Sequence, residues 1–114
     1  MSEPKTQERR RSPRVLLQVP LILSADVEGG PQLRGQALTL VVNAHGGLLE
    51  TSLSLRPEQR LTLLNQESGK MVTCKVLRVE EEYEANYTVA FEFDHCNPQF
   101  WPVDLPAEHL EASE

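Results

Sequence analysis

Apolar and polar positions alternate along most of the chain with the period of two that places successive side chains on opposite faces of a strand. Residues 15–24, Val-Leu-Leu-Gln-Val-Pro-Leu-Ile-Leu-Ser, predict a first strand, and Pro20 confines it to an edge or a bulge. Glu28-Gly29-Gly30-Pro31 is a turn signal. Leu33–Asn43 reads as a second strand, with Gly35 marking a bulge. Residues 48–52 form a third strand, Arg56-Pro57-Glu58-Gln59 a turn, and Arg60–Asn65 a fourth strand. Gln66 to Gly69 is a polar hairpin loop. In residues 71–79, Met71, Thr73, Lys75, Leu77 and Val79 alternate with Val72, Cys74, Val76 and Arg78, which is a half-buried fifth strand. Tyr87–Phe93 is the sixth, with Val89, Phe91 and Phe93 on one face and Ala90 and Glu92 on the other.

Six closely spaced strands with no long amphipathic helix predict an all-β chain, a six-stranded antiparallel β-barrel whose inward residues include Leu40, Val76, Val89 and Phe91. Residues 97–106 change character. Their prolines and bulky Phe100 and Trp101 suit an extended flap or one helical turn plugging the barrel end, with Trp101 covering core surface. A short helix over 106–110 is possible, since proline fits a first helical position. The expected organisation is a flexible basic arm over 1–12, a barrel domain over 13–106 and a frayed tail over 107–114.

At 114 residues there is room for one self-supporting domain, and 39% hydrophobic with 25% charged residues is ordinary for a folded soluble protein. No apolar run approaches the roughly 20 residues of a membrane span, and Pro13 and Arg14 interrupt any leader-like segment, so a cytoplasmic location is expected. Cys74, in an alternating stretch, reads as a small buried hydrophobe. Asp94-His95-Cys96 lacks a second pair of ligands at metal-site spacing, so no metal is expected. Charge is divided unevenly. Residues 1–14 carry a balance of +3 and the remaining hundred a balance of −9. An acidic body disfavours DNA or RNA, whereas a short basic arm suits a small anion or an acidic partner surface.

Arg9-Arg10-Arg11-Ser12-Pro13-Arg14 is the arm's basic cluster, and Leu38 to Glu50 contains an apolar run, the break Asn43-Ala44-His45, then Gly46-Gly47-Leu48. Together, guanidinium groups and a glycine corner with accessible backbone suggest anion binding; a β-hairpin corner beside a solvated tail is the plainer alternative. The order of parts resembles the PilZ domain over essentially the whole chain. Arg10 and Arg14 fall on its R-x-x-x-R spacing, and Val42 to Leu48 lies where the family has [D/N]-x-S-x-x-G followed by an apolar residue.

That resemblance implies a bacterial signalling protein that binds cyclic di-GMP, with no other cofactor. It implies arginines that stack on guanine and reach its edge and the phosphates, and an acid or amide and a serine on the barrel surface that also hold guanine. A guanidinium does this by stacking with its face and donating two hydrogen bonds from its edge, which lysine cannot do. The candidate ligand residues are Arg10, Arg14, Arg11, Asn43, His45, Gly46 and Gly47. Aligned on Gly47, the second motif has Val42 at the acid position and Ala44 at the serine position; slid by one, it has Asn43 and His45 there but Leu48 at the glycine. His45, His95 and His109 stand beside no recognisable nucleophile, so no enzyme is expected. Two functions follow: a cyclic di-GMP receptor that signals to an unidentified protein partner by ordering its arm, or an interaction module that keeps the fold without the ligand.

Overall fold

β-branched and leucine-rich runs separated by glycine, proline and asparagine turns give seven strands in the computed structural model, which describes residues 14–27, 29–30 and 32–105. They are β1 (Val15–Leu16), β2 (Pro20–Ala25), β3 (Leu33–Asn43), β4 (Gly46–Thr51), β5 (Arg60–Asn65), β6 (Lys70–Glu81) and β7 (Tyr87–Phe93), followed by a 3-10 turn at Pro98–Phe100. The order β3-β2-β5-β6-β7-β4, closed by pairing of β3 with β4, is an antiparallel six-stranded barrel. β1 is an additional outer strand on β3, with Val15 opposite Val42 and Leu16 opposite Val41. The arm over 1–12, the expected helix over 106–110 and the tail over 107–114 lie outside the described residues. No described helix is long and apolar enough to cross a membrane.

Leu23, Leu49, Leu63, Cys74, Val76 and Val89 are wholly buried and fill the barrel. Each large aliphatic side chain so buried contributes about 1.5–3 kcal/mol. Phe100 and Trp101 close one end. Trp101 stacks on Phe93 at 5.7 Å between centroids, and Phe100 meets Trp101 edge-on at 5.0 Å. The plugging turn expected over 97–106 is therefore present at Pro98–Phe100.

The first expected strand is two strands. Between Leu16 and Pro20 the ladder opens, and the buried Thr39 hydroxyl fills it: Val19 N–H donates to Oγ1 at 2.7 Å, and Oγ1 donates to Leu17 O at 2.6 Å. Pro20, which has no N–H, opens β2, where that loss is tolerated. Gly35 is no bulge, since it pairs regularly with Leu23; it makes room for Leu53, whose side chain a Cβ there would meet at 3.1 Å. The bulge in β3 is at Leu40, between Thr39 and Val41. Ala37 and Thr39 face the core before it; beyond it the parity is reversed, so Val42 faces the core, and Leu40, expected inward, is only half-buried. A second bulge at Leu77, between Val76 and Arg78, turns Arg78 outward from the face shared by Cys74 and Val76 and brings Val79 against the core. Bulges add local twist, which a small closed barrel requires.

Candidate functional site

The glycine corner is a two-residue connection, Ala44-His45, closed by the pair Asn43 and Gly46, so both glycines belong to β4 rather than preceding it. Neither Ala44 nor His45 has positive φ; Gly46 absorbs the twist at φ 151°. A Cβ at Gly46 would lie 2.2 Å from Phe91 O, and one at Gly47 2.2 Å from Val41 O. The pair is thus required by neighbouring backbone, whatever else it does. Asn43 Oδ1 accepts from His45 N–H at 2.8 Å and holds the turn. Three successive carbonyls of the corner are held by the plug and β7. Trp101 Nε1 donates to Asn43 O at 2.8 Å, Asn97 N–H to Ala44 O at 2.8 Å, and Phe93 N–H to His45 O at 2.7 Å.

Strand register builds the outer surface around this corner. Leu16, Val41, Leu48, Ala90 and Arg78 are successive cross-strand neighbours, a row that is apolar until the guanidinium. The next outward row is Asn43, Gly46, Glu92 and Lys75. Between them lies a shallow depression of about 270 Å³, lined by Arg14, Asn43, His45, Gly46 and Gly47 together with Val41, Leu48, Leu77, Arg78, Ala90, Phe91 and Glu92. Five of the seven residues named from sequence therefore meet here, while Arg10 and Arg11 lie outside the described residues. Arg78 and Glu92 escaped sequence reading. Glu92 was legible as outward-facing, but only the register sets it opposite Gly46.

On the alignment with Gly47, the second motif's acid and serine positions fall on buried residues. Val42 is 0% exposed and Ala44 3%, so both point into the barrel and neither position can present a side chain to a surface ligand. Asn43 and His45, half-buried, border the depression instead. The bulge at Leu40 displaces the alternation by one residue, so that Val42 faces the core although Ala37 and Thr39 before the bulge do too.

Two larger depressions carry less suitable chemistry. One of about 380 Å³ is lined by Pro20, Ile22, Gln36, Leu38 and Glu50 among others and has no cation. The other, of about 440 Å³, contains Asp94, His95 and Cys96. There the Asp94 carboxylate accepts from Thr73 Oγ1 at 2.6 Å and pairs with the Arg60 guanidinium. The Thr73 bond foremost, then the Arg60 charge, hold its carboxyl below the usual value. Cys74 sits behind the wall with its thiol pushed up to about 12 by burial and by the Asp94 charge, so it is inert as a nucleophile. Among the described residues, no three His, Cys, Asp or Glu side chains are grouped to hold a metal ion. No protein-family model matches the chain, and no curated protein matches it in sequence.

Proposed function

We propose that this barrel is a PilZ-like receptor for cyclic di-GMP, bound on the outer wall at the corner and covered by the arginine arm. The observation that carries the proposal is the convergence of Arg14, Asn43, His45, Gly46 and Gly47 on one depression whose floor includes Val41, Leu48 and Ala90. Such a floor takes the face of a purine, and the exposed Arg14 offers a planar cation to guanine or phosphate. Arg10 and Arg11 precede Arg14 by four and three residues, so an arm anchored at β1 can reach over the same ligand. Ordering that arm creates a new surface for a protein partner, which makes the function signalling rather than catalysis, in the cytoplasm where the dinucleotide acts.

Titration calorimetry with cyclic di-GMP on the full chain is the test. Arg10→Ala and Arg14→Ala are each expected to weaken binding by roughly tenfold or more, the value of a charged hydrogen-bonded contact. Lysine at either position is expected to recover little of it. Absence of binding heat at high micromolar ligand would reject the receptor. A second function, a ligand-free interaction module, is favoured by the exposure of Leu16 (85%) and Leu77 (46%) beside the depression, an apolar rim suited to a protein surface.

A further inference from the structure

We propose that Glu92 is the residue that reads guanine at this site, supplying from β7 the carboxylate that the corner does not present. The inference rests on the receptor function proposed above. Val42 is buried, and Asn43 spends one lone pair of its Oδ1 on the His45 N–H, so the corner offers a base edge a single neutral acceptor site and no carboxylate. In the ladder Gly46 stands between Asn43 and Glu92, pairing with both. Their backbones are therefore two strand spacings apart, about 9.5 Å, with only a glycine in between. Glu92 lines the same depression as Arg14 and is exposed. Among the described residues it makes no ion pair: Lys75, opposite it, turns instead to Glu58 at 3.6 Å.

Chemistry decides what such a carboxylate can face. A cyclic dinucleotide carries two phosphate charges, and a carboxylate beside either one is repelled. Guanine, however, presents N1–H and the 2-amino group side by side, two parallel donors that match the two carboxylate oxygens. Adenine presents an acceptor at N1 and a donor at its 6-amino group, so the same carboxylate meets one donor and one repelling lone pair. Arg14 and Arg78 line the depression, Arg78 with its Nε on Glu80 at 3.1 Å, and theirs are the positive charges that suit phosphate, which leaves Glu92 the base edge. The outcome is selection of guanine over adenine by an acid outside the corner.

The test is Glu92→Gln in the full chain, titrated with cyclic di-GMP and with cyclic di-AMP. Glutamine keeps the size and has one acceptor and one donor, the complement of adenine. Cyclic di-GMP affinity is expected to fall by roughly tenfold or more, and the preference for guanine over adenine to narrow by at least as much. Unchanged or tighter cyclic di-GMP binding in Glu92→Gln would overturn the inference, tighter binding being what simple relief of charge repulsion gives. If the native chain binds and Arg14→Ala weakens it while Glu92→Gln does not, the inference alone fails. If the native chain does not bind, the receptor function fails and the inference with it.

Discussion

Thr39→Val tests the joint that holds β1, and with it Arg14, to the barrel. The substitution keeps shape and volume, so no cavity opens, but it deletes the hydroxyl that accepts from Val19 N–H and donates to Leu17 O. Val19 is buried, so its N–H is left without a partner; Leu17 is half-buried, and water relieves part of the loss at its carbonyl. A stranded buried group costs about 1–3 kcal/mol, so the pair should cost about 2–4 kcal/mol, from a total of roughly 5–15 for a domain of this kind. Thr39→Ser retains both bonds and removes one methyl group, at about 1 kcal/mol. Urea unfolding followed by Trp101 fluorescence measures the difference. At slopes of about 1–1.5 kcal/mol/M, the valine midpoint should fall by roughly 2 M and the serine midpoint by less than 1 M. The backbone bonds Thr39 N–H to Val19 O and Leu17 N–H to Leu40 O survive both changes, so the ranking isolates the hydroxyl. A valine variant as stable as the serine variant would refute the bridging role.

Gly47→Ala should abolish cooperative melting or lower the midpoint steeply, because its Cβ would lie 2.2 Å from Val41 O; a native-like melt would mean the strands can part there at little cost. Val42→Asp with Ala44→Ser, which copies the family motif, should destabilise by several kcal/mol rather than create a ligand contact, since both side chains point into the core. A folded, tighter-binding double variant would refute this and support the alignment on Gly47. For Cys74 the thiol ordinarily ionises near 9.0 and is raised to about 12 in the fold, so its contribution is complete below pH 9 and is lost as pH rises from there to about 12. Cys74→Ala should flatten that alkaline slope, and a thiol reagent should label Cys96 in the native protein but Cys74 only on unfolding. Deleting Leu77, the extra residue of its bulge, should leave Val76 and Val79 inward and the melt cooperative, whereas deleting Thr62 from the regular β5 would turn Leu63 outward and should prevent folding.

Sequence pattern located strands where alternation is regular and bounded by strong turns. Leu33–Asn43, Arg60–Asn65 and Tyr87–Phe93 fall where expected, and Val76, Val89 and Phe91 are inward. It failed where backbone geometry, rather than side-chain chemistry, decides. Nothing in Val-Leu-Leu-Gln-Val-Pro announces that a threonine twenty residues away will part β1 from β2 by bonding their connecting peptides. Gly35 looked like a bulge because glycine in a strand signals either a bulge or a close neighbour, and here the neighbour is Leu53. At the site, Arg14, Asn43 and the glycines were legible as types at suggestive spacings. Glu92 and Arg78 were not, because their proximity to the corner exists only once β7 pairs with β4 and β6 with β7.

The two bulges that defeated the alternation also shape the candidate site. With strict period two, Val41 would follow Thr39 inward and Val42 would face out; the extra Leu40 exchanges them, placing Val42 in the core and Val41 in the depression. Likewise Arg78 would follow Cys74 and Val76 into the barrel, where an unpaired guanidinium is untenable. The extra Leu77 turns Arg78 to the outer wall and itself lines the depression. One bulge thus delivers a floor residue and the other a cation and an apolar rim, to the same side of the corner. Each is anchored against a regular partner strand, β4 and β7 respectively, whose own pairing carries Leu48, Ala90 and Glu92 to that surface. Irregularity in the outer two strands and regularity in the inner two together convert a uniform barrel wall into a concave patch with charges of both signs.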